Sequence, residues 1–132
     1  MAQVWVVRAG KAGADSDVAF KESVVGVGWS ELVGLPSVAS EEELRARLAE
    51  AYPDEGQGAR SQSFGQLRTF LFTINVGDLV LLPTSGGTIH VGEVTGPVQE
   101  RPELPAMLRF TRSVNWIGSF NRAAVQQDLV YS

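Results

Sequence analysis

The run Val24-Val25-Gly26-Val27-Gly28-Trp29-Ser30 places a tryptophan and a serine at the end of a short, glycine-punctuated strand. An indole face can stack on a flat ring, and a hydroxyl can hydrogen-bond to that ring's edge. Unlike Trp5 and Trp116, which sit inside apolar strands and read as core, Trp29 runs straight into the polar pair Ser30-Glu31. Tyr52 and Phe64 are candidate ring partners. Arg8, Lys11, Arg60 and Arg68 lie in or beside two polar loops that could flank a pocket.

Other chemistry is poorly supplied. His90 is the one histidine and the chain has no cysteine, so thiolate metal sites, disulfides and cysteine nucleophiles are excluded. A transition-metal site is not expected from a lone strand histidine, which reads as an ordinary surface or packed residue. No nucleophile elbow is present. Gly10 to Gly13 lacks the lysine-serine ending of a phosphate loop. The carboxylates cluster on a helix that starts at Ser40, where solvated charge explains them. No catalytic set is found, the domain is not expected to be an enzyme, and no cofactor is implied.

The elements that would position these residues follow from pattern. Val4 to Arg8 reads as a buried strand and Ala9 to Asp17 as a loop. Val24 to Trp29 is a second strand. Ser40-Glu41-Glu42-Glu43 is a capping box: the serine caps, and Glu43 reaches back to the Ser40 amide. Leu44, Leu48 and Ala51 follow at helical spacing, and Tyr52-Pro53 ends the helix. Phe64, Leu67, Leu71 and Phe72 predict a second helix over Phe64 to Phe72. Asn75-Val76-Gly77-Asp78 turns into a strand from Leu79 to Leu82. Thr84-Ser85-Gly86-Gly87 is a hairpin turn, Thr88 to Val94 its partner strand, and Thr95-Gly96-Pro97 a stop. Met107 to Trp116 is a last long strand. Asn121 to Tyr131 is expected to pack as a turn and short strand. The expected fold is a single α+β domain with a curved, mostly antiparallel sheet and two or three flanking helices.

The chain has 132 residues, 44% of them hydrophobic, enough for one domain with a core. No apolar run approaches the roughly 20 residues of a membrane helix, and the N-terminus carries no secretory pattern. A cytoplasmic location and no membrane partner are expected. The net charge of −4 argues against a generic polyanion binder. A local site for nucleic acid stays open if the acidity of Glu41-Glu42-Glu43, Asp54 and Glu55 lies on another face.

The order of strand, polar glycine loop, Gly-x-Gly-Trp-Ser, helix, Gly-Asp-Leu-Val, hairpin, Val-Gly-Glu-Val-Thr-Gly-Pro and Val-Asn-Trp-Ile resembles the PUA-like superfamily, which includes the YTH and EVE domains. Within it, the chain looks most like the N-terminal reader domain of bacterial type IV, Mrr-type modification-dependent restriction endonucleases. The resemblance runs from Val4 to about Tyr131. It implies a pseudobarrel that binds a modified base flipped out of double-stranded DNA, 5-methylcytosine above others, so targeting a nuclease domain expected C-terminal to it in a longer chain. It places Trp29 and Ser30 at the base pocket, with Gly10 and Lys11 in the preceding loop. That loop lacks the asparagines of YTH domains, and Val98-Gln99 stands where their later pocket aromatic falls. A second ring wall is therefore expected from Tyr52 or Phe64, or is absent. DNA backbone contacts are expected from Arg8, Arg60, Gln62 and Arg68. The competing readings are an N6-methyladenine or modified-RNA reader, and a protein-interaction module that binds no nucleic acid.

Overall fold

The structure is a computed structural model that describes residues 3–123. Among these residues the chain is α+β. It has one five-stranded mixed sheet in the order β1-β3-β4-β5-β2 and three α-helices. The strands are β1 (Val4–Val6), β2 (Val24–Val27), β3 (Leu79–Pro83), β4 (Thr88–Glu100) and β5 (Phe110–Asn121). The helices are α1 (Ser16–Lys21), α2 (Glu41–Ala51) and α3 (Gln57–Arg68). β1 runs parallel to β3, and the other three pairings are antiparallel.

α2 forms as its sequence dictates. The Ser40 hydroxyl accepts from the Glu43 amide at 3.1 Å. The reciprocal bond of Glu43 goes one residue further out than expected, to the Ala39 amide at 3.3 Å. Leu44 and Leu48 are buried, and the helix ends before Pro53.

Several boundaries differ from the sequence pattern. α3 begins at Gln57 rather than Phe64, because its polar first turns are solvent-facing and only Ser63, Phe64 and Leu67 are buried. Such residues carry no periodic signal yet cost a helix little. Thr69–Thr73 continues it as a π-helical turn. The loop from Ala9 holds α1 and a 3-10 turn at Lys11–Gly13. β2 stops at Val27, before Trp29. Met107 lies in a 3-10 turn, and β5 starts at Phe110 and runs on to Asn121. The expected packing of the tail to Tyr131 falls almost wholly outside the described residues.

Thr95-Gly96-Pro97 does not stop β4. From Val94 to Val98 the strand advances four residues while its partner advances only two, from Val114 to Arg112. The extra residues bulge out, which accommodates a proline inside a strand and bends the sheet. A second irregularity lies at Val91/Gly92. There Gly92 is required by contact: a Cβ would sit 2.9 Å from the Trp116 ring.

The sheet is open, with β1 and β2 at its two ends. In a flat sheet, four spacings of about 4.8 Å would separate those ends by about 19 Å. Yet Val6 and Val7 on one side and Val27 on the other line a single recess of about 460 Å³. The bent sheet therefore curls until its ends approach, without pairing. One buried cluster, Val7, Val25, Phe70, Ile74, Val80, Val94 and Val114, fills the concave face. A second, built on Leu32, Leu35, Leu44, Leu48, Phe64, Leu67 and Phe110, packs α2 and α3 against the β2–β5 end.

Candidate functional site

The recess lies at the seam where the sheet fails to close. β1 and the residues after it contribute Trp5, Val6, Val7 and Arg8, and β2 contributes Val27. α3 and its π-helical turn form the other wall with Gly65, Gln66, Thr69, Phe70 and Ile74. Its volume falls within the roughly 300–1,000 Å³ of small-ligand sites. Its walls are apolar and aromatic, with an amide, a hydroxyl and a guanidinium at intervals.

Backbone polarity adds to this. The Gln3 carbonyl accepts from the Leu79 amide at 2.9 Å, and the Val7 amide donates to the Leu81 carbonyl at 3.0 Å. In a parallel ladder alternate residues turn their polar groups to the partner strand. Trp5 therefore faces β3 with its backbone, and Val4 and Val6 face the open edge with theirs. Val6 borders the recess, so an amide and a carbonyl with no partner among the described residues stand there for the edge of a ring.

Trp5 is held by Asp78 of the Gly-Asp-Leu-Val motif. The indole Nε1 donates to Asp78 Oδ2 at 3.0 Å, the Asn75 amide to Oδ2 at 2.9 Å, and the Gln3 amide to Oδ1 at 3.1 Å. The Asn75 amide, then the indole, then the Gln3 amide hold this carboxyl below the usual aspartate range. Asp78 thus ties the start of β1, the turn before β3 and the Trp5 ring into one unit. Arg112, also buried, does the same for the opposite wall. Its Nη1 donates to the Phe70 and Ile74 carbonyls and its Nε to the Gly96 carbonyl at 3.0 Å. The π-helical turn, whose C-terminal carbonyls lack helical partners, is held by this guanidinium. Burial pushes the Arg112 pKa down, and the Asp78 charge opposes that.

The residues expected at a base pocket fall into separate groups. Trp29 is half-buried against the Leu32–Phe110 cluster and is not among the residues lining the seam recess, although Val27, two positions before it, is. Its φ is +58°, a left-handed conformation that strains a bulky residue. Its carbonyl accepts from the Leu32 amide at 2.9 Å. Ser30 is half-buried beside it. Tyr52 packs on the same cluster, and its hydroxyl bonds Glu31 Oε2 at 2.5 Å. Burial and the Glu31 carboxylate raise the phenol pKa, while the Tyr52 bond lowers that of Glu31. Phe64 is buried beneath Arg45, whose guanidinium carbon lies 3.8 Å from the ring centroid. That cation covers the ring.

Gly10, with φ +78°, and exposed Lys11 sit in the loop after Arg8. Arg60 lines a separate recess with Arg45 and Phe64, and its Nη2 donates to the Glu55 carbonyl at 3.2 Å. Gln62 is exposed on α3. Exposed Arg68 lies 3.8 Å from Glu41. Of the expected set, the structure brings Arg8 alone to the seam recess. It adds Trp5, Gln66, Thr69 and Phe70, which apolar pattern had assigned to core or helix. The tryptophan expected at the pocket stands apart from the recess, and one assigned to core lines it. Trp116 does pack as expected, with Nε1 bonded to the Phe20 carbonyl at 3.0 Å, and His90 stacks on Phe20 with ring centroids 4.0 Å apart. Among the described residues no cluster of three or more potential metal ligands occurs, and no helix is long and apolar enough to cross a membrane.

Fold and site define a small α+β domain with a curled, unclosed sheet and a ring-sized recess at its seam. Residues 5–129 match the family described as Domain of unknown function (DUF8426), and the chain belongs to that family. No curated protein and no solved structure matches it.

Proposed function

We propose that the domain reads a modified base in DNA, 5-methylcytosine first among candidates, by taking the flipped base into the seam recess and so directing a nuclease domain linked to it. The observation that carries this reading is the recess itself. It is large enough for a nucleobase, walled by Trp5 and Phe70, and edged by Gln66, Thr69 and the unpaired backbone of Val6. The same reading takes the curled sheet as the pseudobarrel of a PUA-like domain related to the EVE and YTH domains. Its support is the approach of the two sheet ends and the order of motifs along the chain.

The energetics restrict the mechanism. Everting a base from a duplex costs a few kcal/mol. Burying one methyl group returns only about 0.8 kcal/mol, so the methyl tilts a balance that other contacts set. Stacking returns roughly 1–3 kcal/mol per base. Hydrogen bonds from Gln66 and the Val6 backbone to the base edge supply further affinity, and the Thr69 oxygen can accept from it while its hydroxyl donates to the Gly65 carbonyl at 3.0 Å. Asp78 and Arg112 hold the two walls in advance, which lowers the ordering cost of binding. Trp29 enters this reading through its strained backbone, because strain persists where the surroundings enforce it and concentrates at functional positions. Arg8 beside the recess, with Lys11, Arg60, Gln62 and Arg68 further out, would contact the DNA backbone.

The test is a panel of otherwise identical duplexes carrying cytosine, 5-methylcytosine, 5-hydroxymethylcytosine or N6-methyladenine, with modified RNA as competitor. Tightest binding to 5-methylcytosine supports the proposal. A preference for N6-methyladenine or RNA would move the reading to that base, and equal or absent binding throughout would reject it.

A further inference from the structure

A second recess, of about 320 Å³, adjoins the first and shares Arg8 with it. Its other lining residues are Gly13, Pro83, Thr84, Ser85 and Arg122. Two guanidinium groups thus border it, and among the described residues no carboxylate does. Among the described residues neither Arg8 nor Arg122 forms an ion pair, whereas Arg68, Arg101 and Arg109 all do. In a chain of net charge −4, two unneutralised cations facing one hollow call for a ligand of opposite sign.

The backbone around the hollow is built to the same end. Gly13 has φ +77°, and a Cβ there would lie 3.2 Å from both the Pro83 carbonyl oxygen and the Ser85 amide nitrogen. The loop after β1 therefore touches the β3–β4 turn through bare backbone, and any side chain would fill the hollow or force the two apart. Within the turn, the Thr84 amide donates to the Thr88 carbonyl at 2.9 Å and the Gly87 amide to the Thr84 carbonyl at 3.3 Å. The Arg122 amide donates to the Gly87 carbonyl at 2.9 Å, which anchors the end of β5 to the tip of this turn. The Ser85 amide donates to no described group. Two cations and a free amide around one hollow are the donor set of an oxyanion site.

We propose that this second recess holds a backbone phosphate of the bound DNA strand. Arg8, common to both recesses, lies between that phosphate and the everted base. The identity of the ligand as DNA rests on the reading above; the anion site rests on its own geometry. Arg122 was silent in the sequence, because one arginine near the end of a strand carries no motif.

The test uses Arg122→Gln, Arg122→Lys and the unaltered protein on plain and 5-methylcytosine duplexes across a salt series. Arg122 is exposed and belongs to none of the buried clusters, so the variants should fold, which a thermal melt checks. Losing one phosphate contact should reduce the slope of log affinity against log salt by about 0.9. The glutamine variant would then lose about 3.5-fold less affinity than the unaltered protein between roughly 50 and 200 mM salt. Its plain and methylated affinities should fall together, and lysine should restore the slope. An unchanged slope in Arg122→Gln overturns the phosphate site, even where the methylated duplex is still preferred. A reduced slope on both duplexes with no methyl preference upholds the phosphate site and rejects the base reading alone. No binding to either duplex overturns both.

Discussion

Gly65 offers a perturbation in which stability and binding should move in opposite directions. It lies inside α3, lines the seam recess, and a Cβ built there meets no atom within 4 Å. Glycine costs about 0.8–1.0 kcal/mol relative to alanine in a helix interior, and leucine ranks close to alanine. Gly65→Leu should therefore stabilise the domain by about 0.5–1 kcal/mol and raise its melting temperature by about 2–5 °C. The new side chain also occupies space the base needs. If it displaces the stacked ring, the lost stacking of roughly 1–3 kcal/mol weakens modified-duplex binding about 5- to 150-fold. Gly65→Ala serves as control, with the same gain in stability and most of the recess left open. A thermal melt by circular dichroism and a gel shift with the 5-methylcytosine duplex read the two effects. A Gly65→Leu protein that melts higher and binds the methylated duplex unchanged would falsify the recess as the reading site. One that melts lower would refute the open space on which the substitution relies.

Trp29 lines no part of the recess and enters only through its strained backbone, so Trp29→Ala should reduce the preference for modified DNA in a gel shift without abolishing it, while the circular dichroism spectrum stays folded; an unchanged preference removes Trp29 from the reading mechanism. Arg112→Met leaves the Phe70, Ile74 and Gly96 carbonyls without their donor, and should cost about 3–5 kcal/mol, measured as a lower urea midpoint. Asp78 has its carboxyl pKa lowered by folding, so its contribution is fully present above the unfolded value of about 3.9 and is lost as pH falls through the folded value. Urea titrations of Asp78→Asn between about pH 2 and 6 should accordingly show a flatter acid limb than the unaltered protein, and an identical limb would exclude Asp78 as the source.

Features written in contiguous residues were legible without coordinates. The Ser40 cap, the stop at Pro53, the hairpin at Thr84 to Gly87 and the α+β class depend on local backbone preferences and on apolar periodicity, which one segment carries by itself. The length of α3 was not legible, since its first turns are polar and exposed and leave no periodic trace. Nor was the passage of β4 through Thr95-Gly96-Pro97. A proline breaks a strand unless a partner strand accepts a bulge, and that acceptance lies in the register of β5, which Thr95-Gly96-Pro97 does not itself encode.

The site divides the same way. Residue type alone set out the available chemistry: aromatic faces, arginines, no thiol and a single histidine. Which ring faces open space was a tertiary matter. Trp5 stands inside a strand and Trp29 just past the end of one, but only the curl of the sheet brings β1 beside β2 and puts Trp5, Phe70 and Arg8 around one recess. That curl arises from bulges, from the Asp78 and Arg112 bonds and from side-chain volume across five strands. The Asp78 bonds alone join residues up to 75 positions apart, as between Gln3 and Asp78, and no local pattern encodes such contacts.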